Sequence, residues 1–357
     1  MEVPLPPISK LSLEIIRLIV SSPELSTKDR KSLRLTCKWF KQPTEERLFH
    51  RICISQLQSE VEAFLRISAS PHLAILVREI VWLERPQFTY EDVEAWIEDL
   101  ERPVSVDQRT RFLQSFWRYD ESKIELNSED DEGTEQTSSL SLGEYFPLAI
   151  LRMPRVATFV SQHLERQPRN TYHASDEEIL LFHGPRGPGI PNEGFFKFLQ
   201  PAMECPQSTV RNLVWTQEFE NTLDQTFIPA AFRSLTSIDI RFHRLPQWKN
   251  LVDCLCAASG LRKLSLASMD NHHEPHVFGQ ISRSPRWEHL TVVHFNKIRV
   301  SDEDLTYFVE CHGTLYHLRV IGWYLRVETK RNVEDILRRA KLEFDADNVD
   351  GEDRPQS

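Results

Sequence analysis

The chain lacks paired cysteines, a long apolar run and a basic surplus, and each absence removes a class of function. Six cysteines in 357 residues (Cys37, Cys53, Cys205, Cys254, Cys256 and Cys311) keep no regular spacing. There is no C-x-x-C and no N-x-Ser/Thr acceptor, so the pattern speaks against a disulfide-stapled or glycosylated secreted domain. Cys254 and Cys256 are one residue apart within a helical pattern and point to different faces. Reduced thiols of a cytoplasmic and/or nuclear protein are the expectation. The first residues contain no apolar signal core, and the apolar stretch at 73–83 is interrupted by Arg78 and Glu79, so no membrane span is expected. The formal charge is −10. Between 120 and 139, eight acids (Asp120, Glu121, Glu125, Glu129, Asp130, Asp131, Glu132, Glu135) face Lys123 alone, leaving the rest of the chain close to balance. A field that would gather nucleic acid is missing.

Signatures of catalysis are missing as well. His272, His273 and His276 superficially resemble a metal set, but an H-E-x-x-H motif would need histidine where Val277 stands, and Pro275 lies among them. The stretch HGPRGPG from His183 lacks the Gly-Lys-Ser/Thr ending of a phosphate loop, and Pro185 and Pro188 remove backbone donors. Cys311 and His312 are adjacent on a helical pattern, where neighbouring side chains diverge. Ser128, followed by Glu129, Asp130 and Asp131, suits an acid-preferring kinase no better than any exposed serine in an acidic loop. The expectation is a protein that makes or breaks no bonds itself and needs neither metal nor cofactor.

What is present begins at the N-terminus. Residues 11–20 (LSLEIIRLIV) place Leu11, Ile15, Ile16, Leu18 and Ile19 around most of a helix, with Ser12 at its start and Glu14 in its first turn; Pro23 ends it. A second start lies at Ser26, with Asp29 three residues on as in a capping box. Leu33, Thr36, Cys37 and Phe40 then form one face at helical spacing before Pro43. Leu48, Phe49 and Ile52 add a third apolar cluster. A unit near 60 residues buries only about 60% of its unfolded surface, so this much apolar surface calls for a partner to cover it.

These stretches, LSLEII from Leu11, LRLTCKWF from Leu33 and RLFHRI from Arg47, resemble in order and spacing the F-box of fungal F-box proteins, over about one seventh of the chain. Ser12 stands where that family usually has proline, and serine can cap the same position. The resemblance implies docking onto a Skp-family adaptor, and through it a cullin. The residues it implies for that contact are Leu11, Leu13, Ile15, Ile16, Leu33, Cys37, Phe40, Leu48 and Phe49.

A second pattern organises the C-terminal half. Apolar-x-x-apolar-x-apolar recurs as VRNLVW from Val210, LTSIDI from Leu235, LRKLSL from Leu261, WEHLTV from Trp287 and LYHLRV from Leu315, at steps of 25, 26, 26 and 28 residues. Period and core resemble leucine-rich repeats, each a short strand plus a helix. Between them, Leu245, Trp248, Leu251, Val252 and Leu255 form a helical stripe stopped by Gly260, and a helix from Ser301 with Asp304 at its third position buries Leu305, Phe308 and Val309 before Gly313. Upstream, Val77, Ile80 and Trp82 suggest one early strand, and Val156, Phe159 and Ser161 a weaker one, leaving the repeat number before Val210 open. Helices are expected at 90–100 and 109–119, an acidic disordered insertion at 120–141, a loop at 184–189, a terminal helix at 333–340, an edge strand near 342–344 and a disordered tail over 346–357.

The expected architecture is therefore α/β. A small helical F-box module (1–55) precedes an irregular leucine-rich-repeat-like solenoid (56–345, clearest at 210–325) with one parallel strand per repeat. In each strand the residues alternating with the apolar ones face outward: Asn212, Val214 and Thr216; Ser237, Asp239 and Arg241; Lys263, Ser265 and Ala267; His289, Thr291 and Val293; His317, Arg319 and Ile321. Asp239, Arg241, Lys263, His289, His317 and Arg319 are candidates for holding a target protein, with Trp323 and Tyr324 after the last strand as aromatic anchors. The resemblance implies a substrate-recognition subunit of an SCF-type ubiquitin ligase. The rival expectation is a non-catalytic repeat scaffold that binds its partners outside ubiquitin transfer.

Overall fold

A computed structural model describes residues 11–55, 58–84, 142–163, 194–216, 227–242, 248–268, 277–283, 287–298 and 301–321, with 98, 106, 107, 109, 110 and 338 besides. Three helices open the chain: α1 (Leu13–Ser21), α2 (Thr27–Thr36) and α3 (Lys38–Leu48). Local chemistry sets their starts. Ser12 caps α1 by accepting from Ile15 N at 3.4 Å. At α2 the reciprocal capping box is complete, with Asp29 N donating to Ser26 Oγ (3.1 Å) and Ser26 N donating to Asp29 Oδ2 (2.9 Å). Replacing Ser26 by alanine leaves the Asp29 amide to water and should cost about 1 kcal/mol in a urea titration of the whole chain; an unchanged midpoint would mean that α2 does not depend on its cap.

The second helix departs from its expected course. Rather than running through Phe40 to Pro43, it stops at Thr36, whose hydroxyl donates back to Leu33 O at 2.8 Å. Cys37 is extended (φ −158°, ψ 155°), and a new helix begins at Lys38. Pro43 lies inside that helix and is buried. It forfeits one backbone bond, but it packs beside buried Phe40, Thr44 and Glu45, and the helix continues to Phe49, whose N–H donates to Glu45 O.

Two residues later the chain enters a sheet. Eight strands pair in sequence order and all in parallel: β1 (Arg51–Ile54), β2 (Glu79–Glu84), β3 (Thr158–His163), β4 (Asn212–Thr216), β5 (Ser237–Phe242), β6 (Lys263–Ser268), β7 (Val292–Asn296) and β8 (His317–Ile321). Ile52, read from the sequence with the helical segment, belongs to β1 and pairs with Ile80. Parallel neighbours require crossovers, which carry α4 (Gln58–Ala69) and α5 (Pro71–Ala74), then α6 (Leu142–Leu151), then a π-helical turn (Phe195–Leu199) running into α7 (Gln200–Glu204). The later crossovers hold α8 (Pro229–Phe232), α9 (Trp248–Ala257), α10 (Val277–Ser282) and α11 (Asp302–Cys311). Three strands thus precede the first clear repeat.

Burial follows the repeat pattern in three inward rows. One is Val77, Val156, Val210, Leu235, Leu261, Leu290 and Leu315; the next is Ile52, Ile80, Phe159, Leu213, Ile238, Leu264, Val293 and Leu318. The third holds Ile54, Trp82, Ser161, Trp215, Ile240, Leu266, Phe295 and Val320. The apolar members of all three belong to one contiguous core with the helices. Its first half is rich in rings: Trp82 lies 4.6 Å from Phe198, and Phe64 stacks on Phe146 at 5.1 Å.

The fourth clear repeat corrects the sequence reading. The pairing of Leu264 with Val293 and Leu266 with Phe295 sets its motif at Leu290, three residues after Trp287. Both windows fit apolar-x-x-apolar-x-apolar, so the pattern alone could not choose between them. Trp287 instead packs on the helical side, its Nε1–H donating to Leu255 O at 3.1 Å and its ring stacked on His312. Apart from residues 98, 109, 110 and 338, the expected helices at 90–100, 109–119 and 333–340 lie outside the described residues, as do the segments at 120–141, 184–189, 342–344 and 346–357, Leu245 and the histidines at 272, 273 and 276.

Candidate functional site

Two surfaces stand out, one at each end of the described fold. The first is on the N-terminal helices. Among the described residues, their private core is Ile16, Val20 and Phe40, with Leu33 and Cys37 partly buried against it, and it is separate from the core of the sheet. Polar contacts brace the bundle: Arg30 donates to Val20 O (3.1 Å) and Ser22 O (2.8 Å) at the end of α1, and Arg17–Glu46 and Arg34–Glu45 pair at 3.2 Å. So small a core leaves most of the apolar side chains outside. Leu11, Leu13, Ile15 and Ile19 are exposed, Leu18 is 68% exposed, Leu35 84% and Trp39 46%.

Of the nine residues that the F-box resemblance implies for adaptor contact, Leu11, Leu13 and Ile15 lie on this open surface. Ile16 and Phe40 are inside the bundle, and Leu33, Cys37, Leu48 and Phe49 are half-buried. Leu18, Ile19, Leu35 and Trp39 are the exposed apolar residues missing from that set. A helical wheel of 11–20 already carries Leu18 and Ile19. Leu35 and Trp39 stand on α2 and α3, on either side of the extended Cys37, at an i,i+4 spacing that the sequence already carries.

The second surface is the face of the sheet opposite the core. Strand register aligns one row as Arg51, Glu79, Thr158, Asn212, Ser237, Lys263, Val292 and His317. The next row is Cys53, Val81, Val160, Val214, Asp239, Ser265, His294 and Arg319. Its first half is apolar, and Val81 and Val160 are buried although they stand outside the main core. The half over β5–β8 is polar and open: Arg241 and Lys263 are exposed, and Asp239, Ser265, His294, His317 and Arg319 are half-buried.

Charges there are mostly positive. Arg241 pairs with Asp239 Oδ2 at 3.3 Å, and the His294 and His317 rings meet edge-on at 5.1 Å. Burial, then the nearby His317 and Arg319, hold the His294 imidazole below its ordinary value, with Asp239 acting in the opposite sense. Asp239 Oδ1 and His294 Nε2 are shielded from solvent without a hydrogen-bond partner among the described residues.

The register shift at β7 changes which residues share this face. Asp239, Arg241, Lys263, His317 and Arg319 lie on it. His289 does not: it is exposed in the turn before β7, Thr291 precedes that strand, and Val293 points into the core. His294 takes the place proposed for His289, and reading the repeat from Leu290 would have found it. Trp323 and Tyr324 lie outside the described residues.

Elsewhere the chemistry is structural. His312 is buried, with Nδ1 2.7 Å from Phe308 O, next to a half-buried Cys311. All six cysteines are free, and burial pushes the Cys254 thiol up to about 12, far from thiolate reactivity at neutral pH. Among the described residues, no group of three or more histidine, cysteine or acidic side chains is placed to hold a metal ion, and no helix is long and apolar enough to cross a membrane. Compared with models of known families and with curated proteins, the chain matches none.

Proposed function

We propose that this chain is a non-catalytic substrate receptor of an SCF-type, cullin–RING ubiquitin ligase, acting in the cytoplasm and/or nucleus. Its N-terminal helices act as an F-box that docks a Skp-family adaptor, and a leucine-rich-repeat-like solenoid presents a target on the open face over β5–β8. The observation that carries this reading is the exposure of Leu11, Leu13, Ile15, Leu18, Ile19, Leu35 and Trp39 on a bundle whose own apolar core, among the described residues, is Ile16, Val20 and Phe40. Isolated exposed apolar residues are ordinary, whereas Leu11 and six more on three short helices call for a partner to cover them. Only Phe49 and His50 separate α3 from β1, so whatever holds the bundle also positions the sheet. A receptor of this kind works by proximity, raising the local concentration of a target near a charged ubiquitin carrier.

The test is co-purification of the full chain with a Skp-family adaptor and a cullin. The wild type is expected to retain both. An Ile15→Asp/Leu18→Asp variant, altered only at exposed positions, should lose at least about tenfold in adaptor capture while keeping its circular dichroism spectrum. Failure of the wild type to capture the adaptor would remove the reading. Capture of adaptor without cullin would favour a scaffold working outside ubiquitin transfer.

A further inference from the structure

The residues just before the strands make a ladder of their own along the rim where helices return to the sheet. Backbone bonds define it: Ala157 N donates to Arg78 O, Arg211 N to Ala157 O, Thr236 N to Arg211 O and Arg262 N to Thr236 O, all at 2.7–2.9 Å. The rim thus carries Arg78, Arg211 and Arg262 on every second repeat, with only Ala157 and Thr236 between them. Strand spacing sets successive arginines on the order of 10 Å apart. All three are exposed, and the Arg211 guanidinium is steadied by Ser208 O (3.3 Å) and Val210 O (2.8 Å). Exposed Arg152, Arg155 and Arg233 lie in the same helix-to-strand loops.

Several arginines elsewhere in the fold have carboxylates to answer them: Arg17 has Glu46, Arg34 has Glu45, Arg51 has Glu79, and Arg241 has Asp239, while Arg30 is held by the carbonyls of Val20 and Ser22. Among the described residues, none of the six rim arginines has one. In a chain of net charge −10 these six carry positive charge without an ion pair among the described residues, and three of them stand along one line.

We propose that this rim is a second interaction surface, which binds an acidic polypeptide segment with its carboxylates laid across Arg78, Arg211 and Arg262. An extended polyproline-type chain advances about 3.1 Å per residue with three residues per turn, so acids at every third position recur on one side about 9 Å apart, close to the arginine spacing. Single-stranded nucleic acid fits less well. Among the described residues between Arg78 and Arg262, the rim has no aromatic platform on which bases could stack. The inference stands apart from the adaptor and target surfaces and holds whether or not the chain serves a ligase.

Fluorescence anisotropy of a labelled oligoglutamate peptide with the full chain tests it. Binding is expected at ~50 mM salt and should fade by ~300 mM as screening shortens the reach of the charges. The Arg78→Glu/Arg211→Glu/Arg262→Glu variant should weaken it at least about tenfold, and the milder triple change to glutamine should act in the same direction. Arg241→Glu/Arg319→Glu, on the open face of the sheet, should leave it within about twofold. Unchanged affinity in folded rim variants would overturn the proposal. So would oligouridylate that binds more tightly than oligoglutamate and depends on the same three arginines.

Discussion

Replacing Gly194 by alanine should destabilise the fold by about 3 kcal/mol, at the upper end of what overpacking a core costs. Gly194 begins the helical segment between β3 and β4, where its backbone lies directly on Trp82. A Cβ built there would sit 1.7 Å from Trp82 Nε1 and 2.1 Å from Cε2, so one of the two must move. Neither is free to do so. Trp82 is fully buried, with Phe198 at 4.6 Å on one side and Phe146 edge-on at 6.2 Å on another. Gly194 N is itself bonded to Glu84 Oε2. Urea denaturation should report the loss, and a double variant with Trp82→Phe, which removes the clashing pyrrole edge, should be less destabilised than the two single changes added together. Additive losses, or an alanine variant as stable as wild type, would mean that this close approach is not what holds the segment.

Glu84 should make the stability of the chain fall as pH rises from mild acid to neutrality. Its carboxylate ends β2 facing inward, and it accepts from Ser161 Oγ (2.9 Å), Phe195 N (2.9 Å) and Gly194 N (3.2 Å), so it caps the helical segment that starts at Gly194. Burial raises its pKa from the ordinary 4.5 to about 7, outweighing the hydrogen bonds from Ser161, Phe195, Gly194 and Trp82, which act to lower it. The folded chain therefore holds this proton more tightly than the unfolded one. The stabilising contribution is complete below pH 4.5 and is lost as pH climbs through about 7, a change on the order of 3 kcal/mol. Other groups titrate too, so the useful quantity is the difference in unfolding free energy between wild type and Glu84→Gln. That difference should shrink in favour of the variant between pH 4.5 and 7 and then level off. A difference that ignores pH would show that the carboxyl titrates alike folded and unfolded.

Local signals in the sequence were the ones read most accurately. Ser12, Ser26 with Asp29, and Ser301 with Asp304 each cap a helix where spacing placed the cap, because a cap is decided by side chains within three residues of the amides they satisfy. Strands at Ile80 and Phe159 were visible from the same apolar spacing as the later repeats. The boundary at Ile52 was not. Leu48, Phe49 and Ile52 fit a helical face, while Ile52 and Ile54 fit a strand, and what settles the matter is the edge of β2, a partner 28 residues further on.

Periodicity marked the later strands at steps near 26 residues, and the resemblance to leucine-rich repeats implied their parallel pairing; local patterns gave short capped helices at the start and more apolar surface there than those helices bury. These properties depend on neighbours along the chain, and a single sequence displays them. Tertiary structure alone decided the register of β7, and with it that His294 rather than His289 joins Arg319 and Asp239 on the open face. It alone set Gly194 against Trp82, enclosed Glu84 among donors from β3 and from the helical segment at Gly194, and aligned Arg78, Arg211 and Arg262 along one rim. In each case the deciding contact joins residues distant in sequence, and its energy comes from burial or pairing that no local pattern records.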